Sequence, residues 1–196
     1  EVKTQTRKTL GFEKQDLVFC YLGSIGGWYL TSEMMKLCKK ISDKIPNAKF
    51  LFISPHRHEV ILDAAAESKL SPEKIKTVHA SRQEVSGYLA VSNMALFFIK
   101  PCYSKISSSP TKHGEIMAMG LPVITNTGVG DVAEIVQHTN SGILLENFSD
   151  ESLDKAVEEI RNRKFNPDEI RRGAFEYYSL EKAVQTYREA YNKLLN

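Results

Sequence analysis

The segment Asp16-Leu-Val-Phe-Cys-Tyr-Leu22, followed at once by Gly23, decides the fold. Its nearly continuous apolar run is typical of a strand that is buried on both faces of a parallel sheet. A loop of small residues, Gly23-Ser-Ile-Gly-Gly27, comes next. Apolar residues at helical spacing then run from Thr31 to Ile45, where Pro46 ends the pattern. A strand, a glycine loop and a helix in this order begin a βαβ unit.

The same alternation continues to the C-terminus. Further strands are predicted at 48–53, 75–79, 94–99, 121–125 and 142–145. Helices are predicted at 59–70, 81–92, 110–119 and 130–138, and a helical tail covers 150–196 with breaks near 166–167 and 179. This order predicts an α/β fold with a doubly wound parallel sheet. Because no linker divides the chain, we expect one domain over residues 1–196 that ends in the helices of residues 150–196.

Composition narrows the class of protein. The 196 residues include 26 basic and 24 acidic side chains, a formal net charge of +2, and 42% are hydrophobic. A chain of this length can bury a core, and its balanced charge argues against a nucleic-acid binder. No apolar run approaches 18 residues, so no transmembrane segment is expected. Three scattered cysteines suit neither a disulfide framework nor a zinc site and favour a reducing compartment.

Ligands of doubly wound sheets bind outside the carboxyl ends of the strands. This rule predicts that a functional site is formed by the loops that follow residues 22, 53, 79, 99 and 125. The first contains Gly23, Ser24, Gly26 and Gly27. Small residues before a helix allow backbone N–H groups to approach a phosphate. A plain tight turn is the alternative, because the loop lacks the G-x-G-x-x-G pattern and the lysine of a P-loop.

The loop and helix from Ser107 to Ile124 are more specific. The loop carries hydroxyls at Ser107, Ser108, Ser109 and Thr111. Lys112 lies in the first helical turn, where a cation opposes the helix dipole unless an anion binds beside it. Glu115 follows on the same face and can accept hydrogen bonds from both hydroxyls of a ribose. The alternative is a surface ion pair between Lys112 and Glu115.

Other loops hold weaker candidates. Asn126-Thr-Gly-Val-Gly-Asp-Val-Ala-Glu134, which contains Gly128, either cradles a sugar or phosphate or is a turn that starts a helix at Asp131. His79 follows a strand, where it could contact a nucleobase or serve a structural role. Arg82 could reach an anion or lie on the surface. His56, Arg57 and His58 form a cluster that is expected to be solvated. Trp28 and Tyr29 either contact a ligand or pack against the helix that follows.

Two of these segments resemble retaining GT-B glycosyltransferases of family 4. The C-terminal domain of that family carries a Glu, seven residues, a second Glu and A-M-A-x-G-x-P-V-I, and later a glycine turn that ends in E-I-V. Glu115-Ile-Met-Ala-Met-Gly-Leu-Pro-Val-Ile124 is similar to the first pattern, and Gly128-Val-Gly-Asp-Val-Ala-Glu-Ile-Val136 to the second. Tyr21–Gly27 and Ser141–Leu145 resemble the first glycine loop and the usual ending of the domain.

The resemblance implies half of an enzyme. GT-B proteins have two Rossmann-like domains, and the C-terminal one binds the nucleotide-diphosphate sugar donor. We therefore expect transfer of a hexose, with retention, to a glycan or lipid-linked acceptor in polysaccharide biosynthesis. The N-terminal domain is expected to be absent from this chain, which alone should be inactive. No cofactor and no metal are implied. A cytoplasmic protein is expected, with attachment to the inner face of the membrane left to the other half.

Site residues follow from the same resemblance. Glu115 would bind the ribose hydroxyls, and backbone groups at Gly26, Gly27, Thr111 and Lys112 would lie near the diphosphate. His79 and Arg82 would lie near the base. The predicted catalytic pair is Lys112 and Glu115. Positive and N–H groups would stabilise the charge that develops on the leaving diphosphate.

The chain departs from the family pattern in three respects. Ser107 stands where the first Glu of the pair is usual, and Ser24 where an Arg is usual. A lysine is also missing after Gly26-Gly27, so Lys105, Lys112 or Arg82 would have to replace these cations. Two alternatives therefore stay open. One is a nucleotide-sugar 2-epimerase of GT-B type, and the other is a non-catalytic module that binds a nucleotide or a partner.

Overall fold

The computed structural model describes residues 2–55 and 57–195 of the chain. The strands of this part are β1 (Leu17–Leu22), β2 (Ala48–Ile53), β3 (Ile75–Val78), β4 (Met94–Leu96), β5 (Val123–Asn126) and β6 (Gly142–Leu145). Its α-helices are α1 (Val2–Thr9), α2 (Thr31–Lys44), α3 (His58–Glu67), α4 (Val85–Ala90), α5 (Thr111–Ala118), α6 (Val132–Thr139), α7 (Asp150–Asn162), α8 (Pro167–Tyr178) and α9 (Leu180–Leu195).

The predicted doubly wound parallel sheet is confirmed. Its strands lie in the order β3-β2-β1-β4-β5-β6, and every neighbouring pair is parallel. The chain moves outward in one direction from β1 to β3 and in the other from β4 to β6. The strand order therefore reverses between β1 and β4, the position at which sheets of this type bind ligands.

The apolar run that decides the fold forms the centre of the core. β1 pairs with β2 over its whole length, from Leu17 opposite Ala48 to Leu22 opposite Ile53. Phe19 stacks on Phe50 with ring centroids 5.8 Å apart. Each such side chain, fully buried, stabilises the fold by about 1.5–3 kcal/mol relative to an exposed one. This burial holds the carboxyl ends of the two strands side by side.

The three cysteines differ in their surroundings. Cys20 and Cys38 are fully buried free thiols, and Cys102 is half-buried. Burial raises the pKa of Cys20 to about 12 and also raises the pKa of Cys38. Both buried thiols are therefore held in the protonated form, which is the inert one.

Several predicted boundaries are wrong for local reasons. β4 stops at Leu96 rather than 99. At Ile99, the side-chain amide of Asn126 takes the place of the backbone hydrogen bonds that a neighbouring strand would make. Asn126 Oδ1 accepts from the N–H of Ile99, and Nδ2 donates to the Ile99 carbonyl, both at 2.9 Å. α3 ends at Glu67, before Lys69 takes a left-handed conformation. The polar helix α1 was not predicted at all.

The predicted capping box at the start of α4 is half correct. The Glu84 carboxylate accepts from the N–H of Ser81 at 2.9 Å, as expected. The Ser81 hydroxyl, however, donates to the same carboxylate at 2.6 Å instead of accepting from the Glu84 N–H, which bonds to the Ser81 carbonyl. The helix consequently begins only at Val85 and ends at Ala90.

The C-terminal helices break where the sequence predicts. α7 contacts α2 and β6, and α8 contacts α5 and α6. Among the described residues, α9 buries no side chain. Its exposed apolar residues recur at helical spacing along one face: Leu180, Val184, Tyr187, Tyr191, Leu194 and Leu195. Within residues 2–55 and 57–195, no helix is long and apolar enough to span a membrane.

Candidate functional site: a cleft at the carboxyl ends of β1 and β2

A cleft of about 540 Å³ opens at the carboxyl edge of the sheet. The loops after β1, β2 and β3 and the first turns of α4 and α5 form its walls. Six of the predicted site residues line it: Gly23, Ser24, Arg82, Thr111, Lys112 and Glu115. Residues from the first glycine loop and from α5, far apart in the sequence, therefore meet in one place.

Lys112 is the central charged group of this cleft. Its side chain is only 8% exposed, and its Nζ lies 3.8 Å from the ring centroid of Tyr29 and 4.7 Å from that of Tyr21. Nζ also donates to Tyr21 Oη at 3.3 Å. Burial lowers the pKa of Lys112 to about 7, and the charge of Glu115 only partly opposes this shift. Two aromatic rings thus hold an amine that is poorly solvated.

Gly23 provides the space that Lys112 occupies. A Cβ atom at this position would lie 2.6 Å from Lys112 Nζ, which is closer than real contacts allow. The φ of Gly23 is also +122°, a conformation that residues with side chains rarely adopt. Tyr21 continues the arrangement, since its hydroxyl donates to the carbonyl of Ser24. The strand, the glycine loop and the amine form one packed unit.

Glu115 faces the cleft from the next turn of α5. It lies 3.3 Å from a guanidinium nitrogen of Arg82, a residue that is 90% exposed. The alternative of a surface pair between Lys112 and Glu115 does not describe this geometry, because Lys112 is buried and Glu115 pairs with Arg82. An exposed pair of this kind contributes little to stability, so Glu115 can exchange Arg82 for another partner.

The serine loop, residues 105–110, lies beside this cleft rather than in its wall. Gly130 N–H donates to the carbonyl of Lys105 at 2.8 Å, and a Cβ at Gly130 would come 1.7 Å from the carbonyl oxygen of Ser108. Gly128 packs against Pro101. The third predicted segment therefore supports the serine loop from behind. Ser107, Ser108, Ser109 and Gly128 do not line the cleft.

Four further predicted positions lie outside the cleft wall. Gly26 approaches the guanidinium of Arg57, and Gly27 is exposed. His79 Nδ1 is 2.9 Å from the carbonyl of Pro55, so this exposed histidine fixes the cleft wall formed by Pro55. Lys105 lies with its ammonium 5.0 Å from the ring of Trp28. His56 lies outside the described residues.

Sequence reasoning missed the part played by Tyr21. The residue belongs to an apolar run, where a tyrosine is ordinarily a packing residue. The available signal was its hydroxyl, because a buried tyrosine needs a polar partner close to the end of its strand. Burial raises the pKa of Tyr21 well above its usual range, so the hydroxyl stays protonated.

Two other observations limit the choice of site. Among residues 2–55 and 57–195, no group of three or more His, Cys, Asp or Glu side chains is placed to hold a metal ion. A second cavity, of about 470 Å³, lies at the amino ends of the strands, near Leu17 and Met94. Asn93, one of its polar residues, accepts a hydrogen bond from the Val18 N–H and so braces the sheet there.

Comparison with known proteins identifies the family. The family model for glycosyl transferases group 1 matches residues 2–177. The chain therefore belongs to the glycosyl transferases group 1 family. No curated protein matches the sequence.

Solved structures of glycosyltransferases share the fold. WaaG, a glycosyltransferase involved in lipopolysaccharide biosynthesis, is 20% identical with a TM-score of 0.73; the match covers 93% of this chain and 50% of WaaG. Anabaena Alr3699/HepE in complex with UDP-glucose is 12% identical with a TM-score of 0.76, covering 98% and 52%. The chain thus spans about half the length of these two proteins.

A third structure matches over most of both chains. It is the C-terminal domain of LpcC, a glycosyl transferase group 1 family protein from Francisella tularensis. The identity is 16% and the TM-score 0.69, and the match covers 91% of this chain and 93% of that one.

Proposed function

We propose that this chain is the C-terminal half of a GT-B glycosyltransferase and binds a nucleotide-diphosphate sugar for retaining transfer to a glycan or lipid-linked acceptor. The observation that carries the proposal is the cleft in which Gly23, Lys112 and Glu115 meet. The cleft lies at the carboxyl ends of the strands, and two of its walls, the loop after β1 and the helix α5 that follows β4, come from the two sides of the reversal in strand order. Sheets of this type bind ligands there. HepE, which has the same fold, was solved with UDP-glucose.

Each group has a role that its chemistry suits. Glu115 accepts hydrogen bonds from the ribose hydroxyls, in place of its exposed partner Arg82. The Lys112 amine and the uncapped start of α5 attract the diphosphate, since the first turn of a helix favours anions. As the bond from the sugar to the diphosphate breaks, the leaving group gains negative charge. A protonated Lys112 beside it stabilises that charge in a poorly solvated place.

The missing family residues are compensated in part. Lys112, held between two tyrosine rings, supplies one cation where the glycine loop has none. Ser107 cannot supply the charge of a glutamate, so contacts to the transferred sugar rest on hydroxyls of the serine loop. No cofactor or metal takes part in the proposal.

The exposed apolar face of α9 is consistent with a second domain of the same protein that packs against it. A stripe of Leu180, Val184, Tyr187 and Tyr191 has no cover within the described residues. In this proposal, the N-terminal domain of the same protein packs on it and closes the cleft. The isolated chain then binds the donor but does not transfer the sugar.

Calorimetric titration with UDP, GDP and their common sugar conjugates tests the proposal. Glu115→Ala is expected to weaken the binding of one nucleotide about tenfold or more, because a hydrogen bond to a charged group contributes roughly 1.5–3 kcal/mol. Glu158→Ala, on the distant exposed surface of α7, is the matched control and should leave the affinity unchanged.

Three results would contradict the proposal. Equal affinities of the wild type and Glu115→Ala for the nucleotide would show that Glu115 does not bind it. Absence of binding to both the isolated chain and the full-length protein would favour a non-catalytic module. Formation of an epimer instead of a glycoside by the full-length protein would favour the epimerase.

A further inference from the structure

Arg57 lies on the glycine loop that follows β1, although it belongs to the loop that follows β2. It comes two residues after Pro55, which is part of the cleft wall. A Cβ atom on Gly26 would lie 3.1 Å from Nη1 of Arg57 and 3.8 Å from its Cζ. Gly23 and Ser24 of the same glycine loop line the cleft. The guanidinium of Arg57 therefore lies at the margin of the cleft, between two of the loops that form it.

The positive charge of Arg57 has no carboxylate partner within residues 2–55 and 57–195. Other arginines of this part of the chain form ion pairs, and Arg57 is not among them. Its side chain is exposed. A guanidinium in this situation presents a planar set of N–H donors that matches the oxygens of a phosphate or a diphosphate.

The backbone of Arg57 does not explain the choice of arginine. Its φ is +62°, a left-handed conformation that glycine adopts freely and asparagine adopts more readily than most residues. Its carbonyl accepts a hydrogen bond from the N–H of Val60 at 3.1 Å, and any residue could provide that oxygen. The side chain, rather than the local fold, is therefore the feature to account for.

Lys112 and Arg57 contact the glycine loop at different glycines. Lys112 Nζ would lie 2.6 Å from a Cβ on Gly23, and the guanidinium of Arg57 lies against Gly26. The loop itself, Gly23-Ser-Ile-Gly-Gly27, contains no charged residue. The diphosphate of a nucleotide sugar carries two negative charges, of which Lys112 can balance one. Arg82, a further cation of the cleft, is already paired with Glu115 at 3.3 Å.

We propose that Arg57 binds the diphosphate of the nucleotide sugar together with Lys112. This role rests on the proposed function, because the donor supplies the diphosphate. Lys112 binds it from within the cleft and Arg57 from the margin, so the uncharged glycine loop lies between two cations that other parts of the chain provide. The side chain of Arg57 is the second cation of the donor site.

Titration of Arg57→Asn with a nucleotide sugar and with inorganic pyrophosphate tests this role. Asparagine suits the left-handed backbone and removes the charge. Affinity for UDP-glucose or GDP-mannose, whichever the wild type binds, should fall about tenfold, and affinity for pyrophosphate should fall as well. Arg172→Gln is the matched control, since it removes one exposed arginine from α8 and should change neither affinity.

Two further measurements separate a charged contact from a structural one. Arg57→Lys should retain more affinity than Arg57→Asn, because the charge remains although the planar donors are lost. Affinity of the wild type should also decrease more steeply with added salt than that of Arg57→Asn. Urea unfolding should show Arg57→Asn to be at least as stable as the wild type, so that a loss of binding does not reflect unfolding.

The outcomes distinguish this role of Arg57 from the donor function. Unchanged affinity of Arg57→Asn for a nucleotide sugar that Glu115→Ala binds weakly would overturn the role and leave the donor function standing. Equal affinities of Arg57→Lys and Arg57→Asn would also overturn it. Binding of pyrophosphate through Arg57, in a protein that binds no nucleotide sugar, would uphold an anion-binding arginine and count against the donor function. Absence of binding to both ligands in the isolated chain and the full-length protein would overturn both.

Discussion

At the scale of single residues, Lys112 should make affinity for the proposed donor dependent on pH. Burial lowers its pKa to about 7, so in the free protein the amine is charged below pH 7 and neutral above. A bound diphosphate favours the charged form and raises this pKa, so binding above pH 7 takes up a proton. Affinity for UDP-glucose or GDP-mannose should fall by up to about tenfold per pH unit between pH 7 and 9.

Calorimetry at pH 8 in two buffers of different ionisation enthalpy measures that proton directly. A nucleotide sugar suits the purpose, because its diphosphate diester does not titrate in this range. Lys112→Met should bind weakly at every pH and take up no proton. Identical binding enthalpies in both buffers for the wild type would contradict the assignment.

The same lysine also makes the free energy of unfolding depend on pH, in a direction that follows from its lowered pKa. The pKa of Lys112 is lower in the folded chain than the ordinary value of about 10.4, so the unfolded chain binds more protons between these two values. The free energy of unfolding contributed by this group therefore rises with pH above 7. Urea unfolding at pH 7 and pH 8 should show a rise in the wild type relative to Lys112→Met. Comparison with the variant cancels the opposite effect of the buried thiols.

Gly23→Ala is expected to damage both the fold and the site. The new methyl group would meet Lys112 Nζ at 2.6 Å, in a backbone conformation that costs roughly 1–3 kcal/mol. Gly27→Ala is the control: its φ is +63°, and no described heavy atom lies within 4 Å of the added Cβ. Urea unfolding should show the larger loss for Gly23→Ala, and only this variant should also weaken donor binding. Equal losses would mean that the contact with Lys112 is unimportant.

Residue types and spacing predicted several residues that line the cleft but not how their side chains are held. Lys112 and Glu115 were identified from their place on a helix. The burial of Lys112 depends on Tyr21 and Tyr29, which reach it from other elements, and helical spacing contains no information about them. The pairing of Glu115 with Arg82 is likewise a contact between distant parts of the chain.

At the scale of elements, the serine loop depends on the loop before α6. A Cβ at Gly130 would lie 1.7 Å from the Ser108 carbonyl oxygen, so Gly130→Ala has to displace one loop from the other. We expect weaker nucleotide-sugar binding with the sheet intact, measured by titration and by circular dichroism. The control is Gly87→Ala in α4, where no described atom lies within 4 Å of the new Cβ. It should leave binding unchanged and stabilise the helix by about 0.5–1 kcal/mol.

Long apolar runs were predictable and irregular ends were not. β1 and β2 agree with the sequence pattern because burial on both faces of a sheet demands continuous apolar residues. α2 agrees because its buried residues recur at helical spacing. β4 ends early because a side chain, Asn126, takes over backbone hydrogen bonds, and such a substitution leaves no periodic signal. α1 is polar, and it is held at the sheet by Arg7, which donates to the carbonyls of Val91 and Asp16.

At the scale of the whole molecule, α9 should be the least protected helix. It is 16 residues long and buries no described side chain, and an isolated helix of that length is marginal in water. Hydrogen exchange of the isolated chain should be fast in α9 and slow in α7, which buries Leu153, Val157 and Ile160. In the full-length protein, protection of α9 should rise if the other half covers it. Fast exchange there as well would argue against that contact.

Because the three thiols differ in burial, one of them, Cys102, can serve as a natural attachment point for a probe. Thiol reagents require an accessible thiolate, which Cys20 and Cys38 do not present. Cys102 is half-buried, and its sulfur lies 3.4 Å from Ser104 Oγ, at the entrance to the serine loop. A maleimide dye should therefore label the native chain at one position. Its fluorescence would then follow the loop in real time as a sugar nucleotide arrives, without any engineered cysteine.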